Sequence, residues 1–165
     1  MGKTMKHLSE AFAGESQANR KYLAFAQQAE KEGFPAAAKL FRAAAAAETV
    51  HAHTHLQNMG AIGSTEENLR DAIAGETHEF KSMYPQMIED ARQEGEKEAG
   101  KGFSYANEVE QIHARLYQEL LDNMDSPEPV DCYYVCSVCG NTVADNAPDT
   151  CPICGAGAKA FNRVD

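Results

Sequence analysis

Tryptophan is absent from the 165 residues, and no cysteine occurs before position 132. Cationic side chains are few, 15 Lys and Arg against 25 Asp and Glu, which leaves a formal charge of −10. Such a surface repels a polyanion, so no nucleic-acid partner is expected. No stretch approaches the roughly 18 consecutive apolar residues that a membrane span requires, so no membrane partner is expected either. The opening "MGKTMKHLSEAF" lacks the apolar segment of a secretory signal. Lys6 stands where an N-myristoylation site would carry Ser or Thr. These absences point to a cytoplasmic protein. In a reducing compartment, five cysteines confined to the last 34 residues read as a metal site before they read as disulfides.

What is present favours helix. Hydrophobic residues make up 43% of the chain, enough for a core. Alanine is abundant and β-branched residues are sparse through the first three quarters. Period-3.6 patterning predicts four helices. The first runs from about Thr4 to Glu32 and stops at Gly33. The second starts at Pro35, a good first-turn residue, and ends near Gly60. The third opens at Ser64, where "STEE" places Glu67 three residues on as a capping box. It continues to about Gly95 with a kink expected at Pro85. The fourth covers about Lys97 to Met124. These helices define a first domain, 1–124. "DSPEPVD" at 125–131 reads as a linker. Residues 132–165 read as a small β-and-loop module, too short to bury a core of its own without a metal staple.

Two stretches nearly spell each other, "AFAGES" at Ala11–Ser16 and "AIAGET" at Ala72–Thr77. The offset is 61, and the echo extends upstream, where Leu8 matches Leu69 and Glu10 matches Asp71. A second echo, offset by 62, matches Phe41 to Phe103, Glu48 to Glu110 and His51 to His113. The chain reads as a duplicated helical hairpin. Each half carries one Glu in its first helix and Glu-x-x-His in its second.

Residues three apart share a helix face, so Glu48 with His51, and Glu110 with His113, each aim a carboxylate and an imidazole the same way. Glu15 and Glu76 would join them from the facing helices. Four carboxylates and two imidazoles converging in a bundle form the ligand set of a di-iron or di-manganese carboxylate site. Burying so many carboxylates without cations would cost far too much. Glu79, three after Glu76, adds a seventh candidate ligand. Gly14 and Gly75 are expected to allow close backbone approach or room beside the metals. A single Glu on a helix is ordinarily a solvated charge, and a single Glu-x-x-His carries little weight. Two copies at matching repeat positions carry the metal reading. His7, His53, His55 and His78 read as surface residues. His55 is the rival to His51, but its counterpart in the second half is Tyr117. The alanines at 43–47 read as close helix packing.

Cys136-x-x-Cys139-Gly and Cys151-Pro-x-Cys154-Gly form two knuckles, the signature of a tetrahedral sulfur site. Zinc there would be a structural staple, whereas a single iron would transfer electrons. Cys132 falls outside both knuckles and reads as a free thiol.

Together these residues resemble the rubrerythrin family across essentially the whole chain. The resemblance implies a mainly α fold: a ferritin-like four-helix bundle followed by a small rubredoxin-like β/loop metal domain. It implies two irons in the bundle and one iron in the four-cysteine site, with zinc as a substitute in recombinant protein. Carried over residue by residue, Glu48 and Glu110 would bridge the irons. Glu15 and Glu76 would be terminal ligands, and His113 would bind beside Glu76. The first iron would alternate between Glu79 and His51. Tyr22 and Tyr84 match the tyrosines that hydrogen-bond ligand carboxylates. Cys136, Cys139, Cys151 and Cys154 would hold the third iron.

The activity implied is reduction of hydrogen peroxide to water. Electrons would come singly through the four-cysteine iron from rubredoxin or another NAD(P)H-linked donor, in a head-to-tail homodimer. A ferroxidase or iron-handling protein is the alternative, and the cysteine tail argues against it, since a ferroxidase needs no electron input. A zinc ribbon on a structural bundle is a third reading, opposed by the acid set.

Overall fold

The computed structural model describes residues 2–126 and 129–165, so part of the linker expected at 125–131 lies outside the described residues. The chain divides into two units, Met1–Gly63 and Ser64–Asp165.

The first unit is a helical hairpin of α1 (Lys3–Lys31) and α2 (Pro35–Asn58). Gly33 turns the chain between them at φ 81°, a left-handed conformation that suits a residue without Cβ. Pro35 sits in the first turn of α2, where its missing N–H is no loss. The helices meet along small residues. Ala38, Ala45 and Ala52 recur every seven residues and are buried on α2, facing the buried Ala26 and Ala29 of α1. Within the alanine run at 43–47 only Ala45 is buried, because one residue in that turn faces the seam. The seam is fastened by Asn19, whose Nδ2 donates to the Ala45 carbonyl at 2.7 Å and to Thr49 Oγ1 at 2.9 Å.

The second unit begins with α3 (Thr65–His78), a π-helical segment (Glu79–Met83), α4 (Tyr84–Glu94) and α5 (Lys97–Asp122). The expected capping box is formed. Ser64 Oγ accepts from the Glu67 N–H at 3.2 Å, and Glu67 Oε2 accepts from the Ser64 N–H at 2.7 Å. The third helix is continuous past Pro85, but its irregularity lies upstream of the proline as a π turn. Pro85 has no N–H to offer the preceding turn, and the Tyr84 N–H bonds five residues back, to the Glu79 carbonyl. Gly95, at φ 77°, reverses the chain into α5. Gly100 and Gly102 lie inside α5, and a Cβ at Gly100 would sit 3.5 Å from that of Ala91, so the small residue suits the close α4–α5 approach.

The cysteine module closes this unit. Its antiparallel sheet has the order β2-β1-β3, with β1 Tyr133–Cys136, β2 Thr142–Ala144 and β3 Phe161–Val164. Tyr134 pairs with Val143 on one side and Arg163 on the other. Its small core gathers Cys136, Cys151 and Phe161, with Tyr134, Val143 and Ile153 packed against them. No helix among the described residues is long and apolar enough to cross a membrane.

The capping box gives a direct check on the start of α3. Ser64→Ala should cost about 1 kcal/mol, read as a fall in melting temperature of about 3 °C in a chain of this size.

Candidate metal centres

Each half of the repeat gathers its own triad. In the first unit, Glu15 of α1 lies with Glu48 and His51 of α2, one ligand atom from each within 4.8 Å of the others. In the second, Glu76 of α3 lies with Glu110 and His113 of α5 at the same closeness. The internal geometry repeats as well. His51 Nδ1 is 2.8 Å from Glu48 Oε2, and His113 Nδ1 is 2.8 Å from Glu110 Oε2. His113 Nδ1 also lies 3.9 Å from Glu76 Oε1. The helical spacing of three places each imidazole over its own carboxylate.

The two triads differ in surroundings. The His51 side chain is 56% exposed, that of His113 only 27%. His113 Nε2 is engaged at 2.9 Å by Thr142 Oγ1, on the cysteine module of the same unit. Burial, then the neighbouring Glu110 carboxylate, pushes Glu76 up to about 7. Glu79 contributes to that rise, so it stands within the field of the triad without joining it. Tyr84 is raised in turn by burial and by Glu110, Glu79 and Glu76. Its ring lies 6.3 Å from that of Phe103, as the Tyr22 ring lies 6.2 Å from that of Phe41.

That aromatic pair locates an insertion. Glu15 and Glu76 are 61 apart, but Tyr22 and Tyr84, like all matched residues of the second helices, are 62 apart. The extra residue therefore enters between Glu76 and Tyr84, where the π segment lies. A π turn holds one residue more than an α turn between bonded groups, so it absorbs the insertion and restores the register of Tyr84 with Phe103.

Some expectations need correction. Gly14 and Gly75 make no close backbone approach among the described residues; a Cβ on either would meet nothing within 4 Å, so of the two expected roles it is room that these positions offer. His55 is half-buried rather than fully exposed, and its Nδ1 is enclosed with no hydrogen-bond partner among the described residues. His7, His53 and His78 are exposed.

The four knuckle cysteines converge, with Cys136 Sγ 3.7 Å from Cys154 Sγ and Cys139 Sγ 3.6 Å from Cys151 Sγ. These separations are far too long for a disulfide. They match the edge, roughly 3.8 Å, of a sulfur tetrahedron drawn around one metal with bonds of about 2.3 Å. The knuckles are built alike. The Gly140 N–H donates to the Cys136 carbonyl and the Gly155 N–H to the Cys151 carbonyl, with φ of 85° and 77° at the glycines. Burial pushes the Cys139 and Cys154 thiols up. Burial opposes ionisation of Cys151 too, but the backbone N–H groups of Cys154 and Ile153 outweigh it and bring that thiol down to about 7. Cys132 is buried outside the group. Asn141, also buried, directs its Nδ2 to Cys151 Sγ at 3.7 Å. Asn141 and Thr142 follow directly on the first knuckle, yet neither carries a metal-ligand signature in the sequence.

A helical protein with paired carboxylate–imidazole triads and a thiolate tetrahedron is a non-haem metal protein with two kinds of centre. The rubrerythrin family model matches residues 6–121, and that of the rubrerythrin rubredoxin-like domain matches residues 134–162. Rubrerythrin-2 of Clostridium acetobutylicum is 39% identical over 96% of this chain and 95% of its own length. Rubrerythrin of Porphyromonas gingivalis is 38% identical over 92% and 85%. A solved structure of partially reduced nigerythrin is similar at a TM-score of 0.59, 31% identical over 99% of this chain and 88% of that one. The chain belongs to the rubrerythrin family. Its cofactors are accordingly a di-iron centre with carboxylate and histidine ligands and a four-cysteine rubredoxin-like site.

The elevated Glu76 has a measurable sign. In metal-free protein the folded chain holds this proton more tightly than the unfolded chain between about pH 4.5 and about 7. Its contribution to stability is full below that window and is lost as pH rises through it. Thermal melts across the window should show this component in the parent chain and not in Glu76→Gln.

Proposed function

We propose that this oxidoreductase is a peroxidase that reduces hydrogen peroxide to water, with electrons delivered singly through the four-cysteine iron. The observation that carries this reading is the joining of a thiolate tetrahedron to the duplicated carboxylate triads in one chain. A ferroxidase would have no use for an electron inlet. Reducing one hydrogen peroxide to two waters takes two electrons and two protons, and a bound ferrous pair supplies both electrons while acting as Lewis acid and template.

The donor sets suit these metals. Carboxylate oxygens with one imidazole per triad are the mixed hard and borderline ligands that iron takes. A cation among Glu76, Glu110 and His113 would offset the burial and the Glu110 repulsion that together raise Glu76. In the proposed assignment Glu48 and Glu110 would be the shared ligands, Glu15 and Glu76 would each serve one iron, and His113 would complete the second position. Glu79 and His51 are alternative ligands at the first. The exposure of His51 supports that role, since a side chain 56% open to solvent has room to swing. Tyr22 and Tyr84 orient the carboxylates. The functional division follows the chemistry: a di-iron bundle over 1–124, a linker over 125–131 and a four-cysteine domain over 132–165.

The donor would be rubredoxin or another NAD(P)H-linked carrier. The assembly would be a head-to-tail homodimer, located in the cytoplasm.

Two measurements test the reading. Anaerobically reduced, iron-loaded protein should be reoxidised faster by peroxide than by dioxygen; the opposite order would identify an oxidase. Cys139→Ser should reduce NADH-driven peroxide turnover to background while helical circular dichroism is retained. Turnover that survived this change would remove the relay.

A further inference from the structure

His113 is held from both sides, and its counterpart His51 is not. On one side, His113 Nδ1 faces Glu110 Oε2 at 2.8 Å and Glu76 Oε1 at 3.9 Å. On the other, Nε2 meets Thr142 Oγ1 at 2.9 Å. Among the described residues no group takes that place for His51, which bonds only its own Glu48.

The hydroxyl of Thr142 has one proton to give. Its Oγ1 lies 3.1 Å from the Gly140 carbonyl, an acceptor that can take that proton. With its proton so used, Oγ1 presents a lone pair to His113 and favours the tautomer that carries its proton on Nε2, the form in which Nδ1 is free to bind a cation. An imidazole with its proton on Nε2 has a free lone pair on Nδ1, the nitrogen aimed at the carboxylates. A hydrogen bond on the far nitrogen also fixes the plane of the ring, the service that an outer partner gives to a metal-bound histidine.

The surroundings hold Thr142 in place. It opens β2 and pairs with Val135 of β1. Gly140, two residues earlier, turns beneath the first knuckle at φ 85°. A Cβ there would lie 3.7 Å from Val109 Cγ1. Val109 is 2% exposed and precedes His113 by one helical turn. The knuckle thus abuts α5 on the face that carries His113.

We propose that Thr142 is a positioning residue for the second metal position. Its hydroxyl keeps the His113 proton on Nε2 and the Nδ1 lone pair directed between Glu76 and Glu110, and it does so from the cysteine module of the same chain. Among the described residues His51 has no such hold, so there the two imidazoles of the repeat differ in freedom. This rests on the metal reading given above, and the test separates the two.

The probe is the full-length chain loaded with zinc, which is diamagnetic, and labelled with ¹⁵N-histidine. In the parent chain, His113 should show Nδ1 bound to metal and a slowly exchanging proton on Nε2. Thr142→Ser keeps the hydroxyl and should keep that proton. Thr142→Val removes the acceptor; exchange of the Nε2 proton should accelerate by about tenfold or more, and zinc affinity at this position should fall about tenfold. Unchanged signals from the zinc-bound cysteines and an unchanged amide spectrum would show that Thr142→Val still folds. Zinc bound to His113 with the same Nε2 exchange and affinity in Thr142→Val would overturn the positioning role alone. Zinc that never bound Glu76, Glu110 and His113 in the parent chain would overturn the metal reading, and this role with it.

Discussion

Carboxylates withdrawn from water need a proton or a cation beside them, and the helical part of this chain is arranged around that need. Each Glu-x-x-His pair sets an imidazole 2.8 Å from its own carboxylate. A second acid approaches from the neighbouring helix. The cost is visible at Glu76, which keeps its proton to about 7 because burial and Glu110 disfavour its charge. Small residues serve the same end, since the buried alanines of α1 and α2 put little side-chain bulk between the helices that carry Glu15, Glu48 and His51.

The thiolate tetrahedron solves a related problem with softer donors. A module of some 34 residues has little apolar surface to bury. Its core is made largely of the ligands themselves, with Cys136 and Cys151 among its most buried residues. Two glycines in left-handed conformations bend the backbone so that amide hydrogens turn toward the knuckles. The same turn that forms the first knuckle carries Thr142 to His113, so the two centres are connected by ordinary hydrogen bonds.

Much of this could be read from residues alone, for physical reasons that differ by element. Ser64 and Glu67 announce a helix start because their bonds are local. The knuckles are legible because four sulfurs at fixed short spacing admit few geometries. The triads are legible through repetition, since one Glu-x-x-His would have carried no weight. The Thr142–His113 bond spans 29 residues and involves a side chain with no metal-ligand signature, so nothing local marks it. His55 reads as polar and exposed, and only packing reveals its buried nitrogen. The π turn had a trace in the change of offset from 61 to 62, but a proline in the same helix offered a simpler cause of irregularity, and the kink was expected there.

That π turn has an effect on the symmetry of the molecule. A gene doubled without alteration would yield two equivalent ends, each serving its cation identically. One added residue between Glu76 and Tyr84 breaks the equivalence while leaving the aromatic pairing of each half intact. The acid at Glu79 stands at the head of the inserted turn, where the first copy has Ala18 at the corresponding distance from its glutamate. The repeat supplies a matched pair of triads, and the one-residue change of offset gives that pair a polarity.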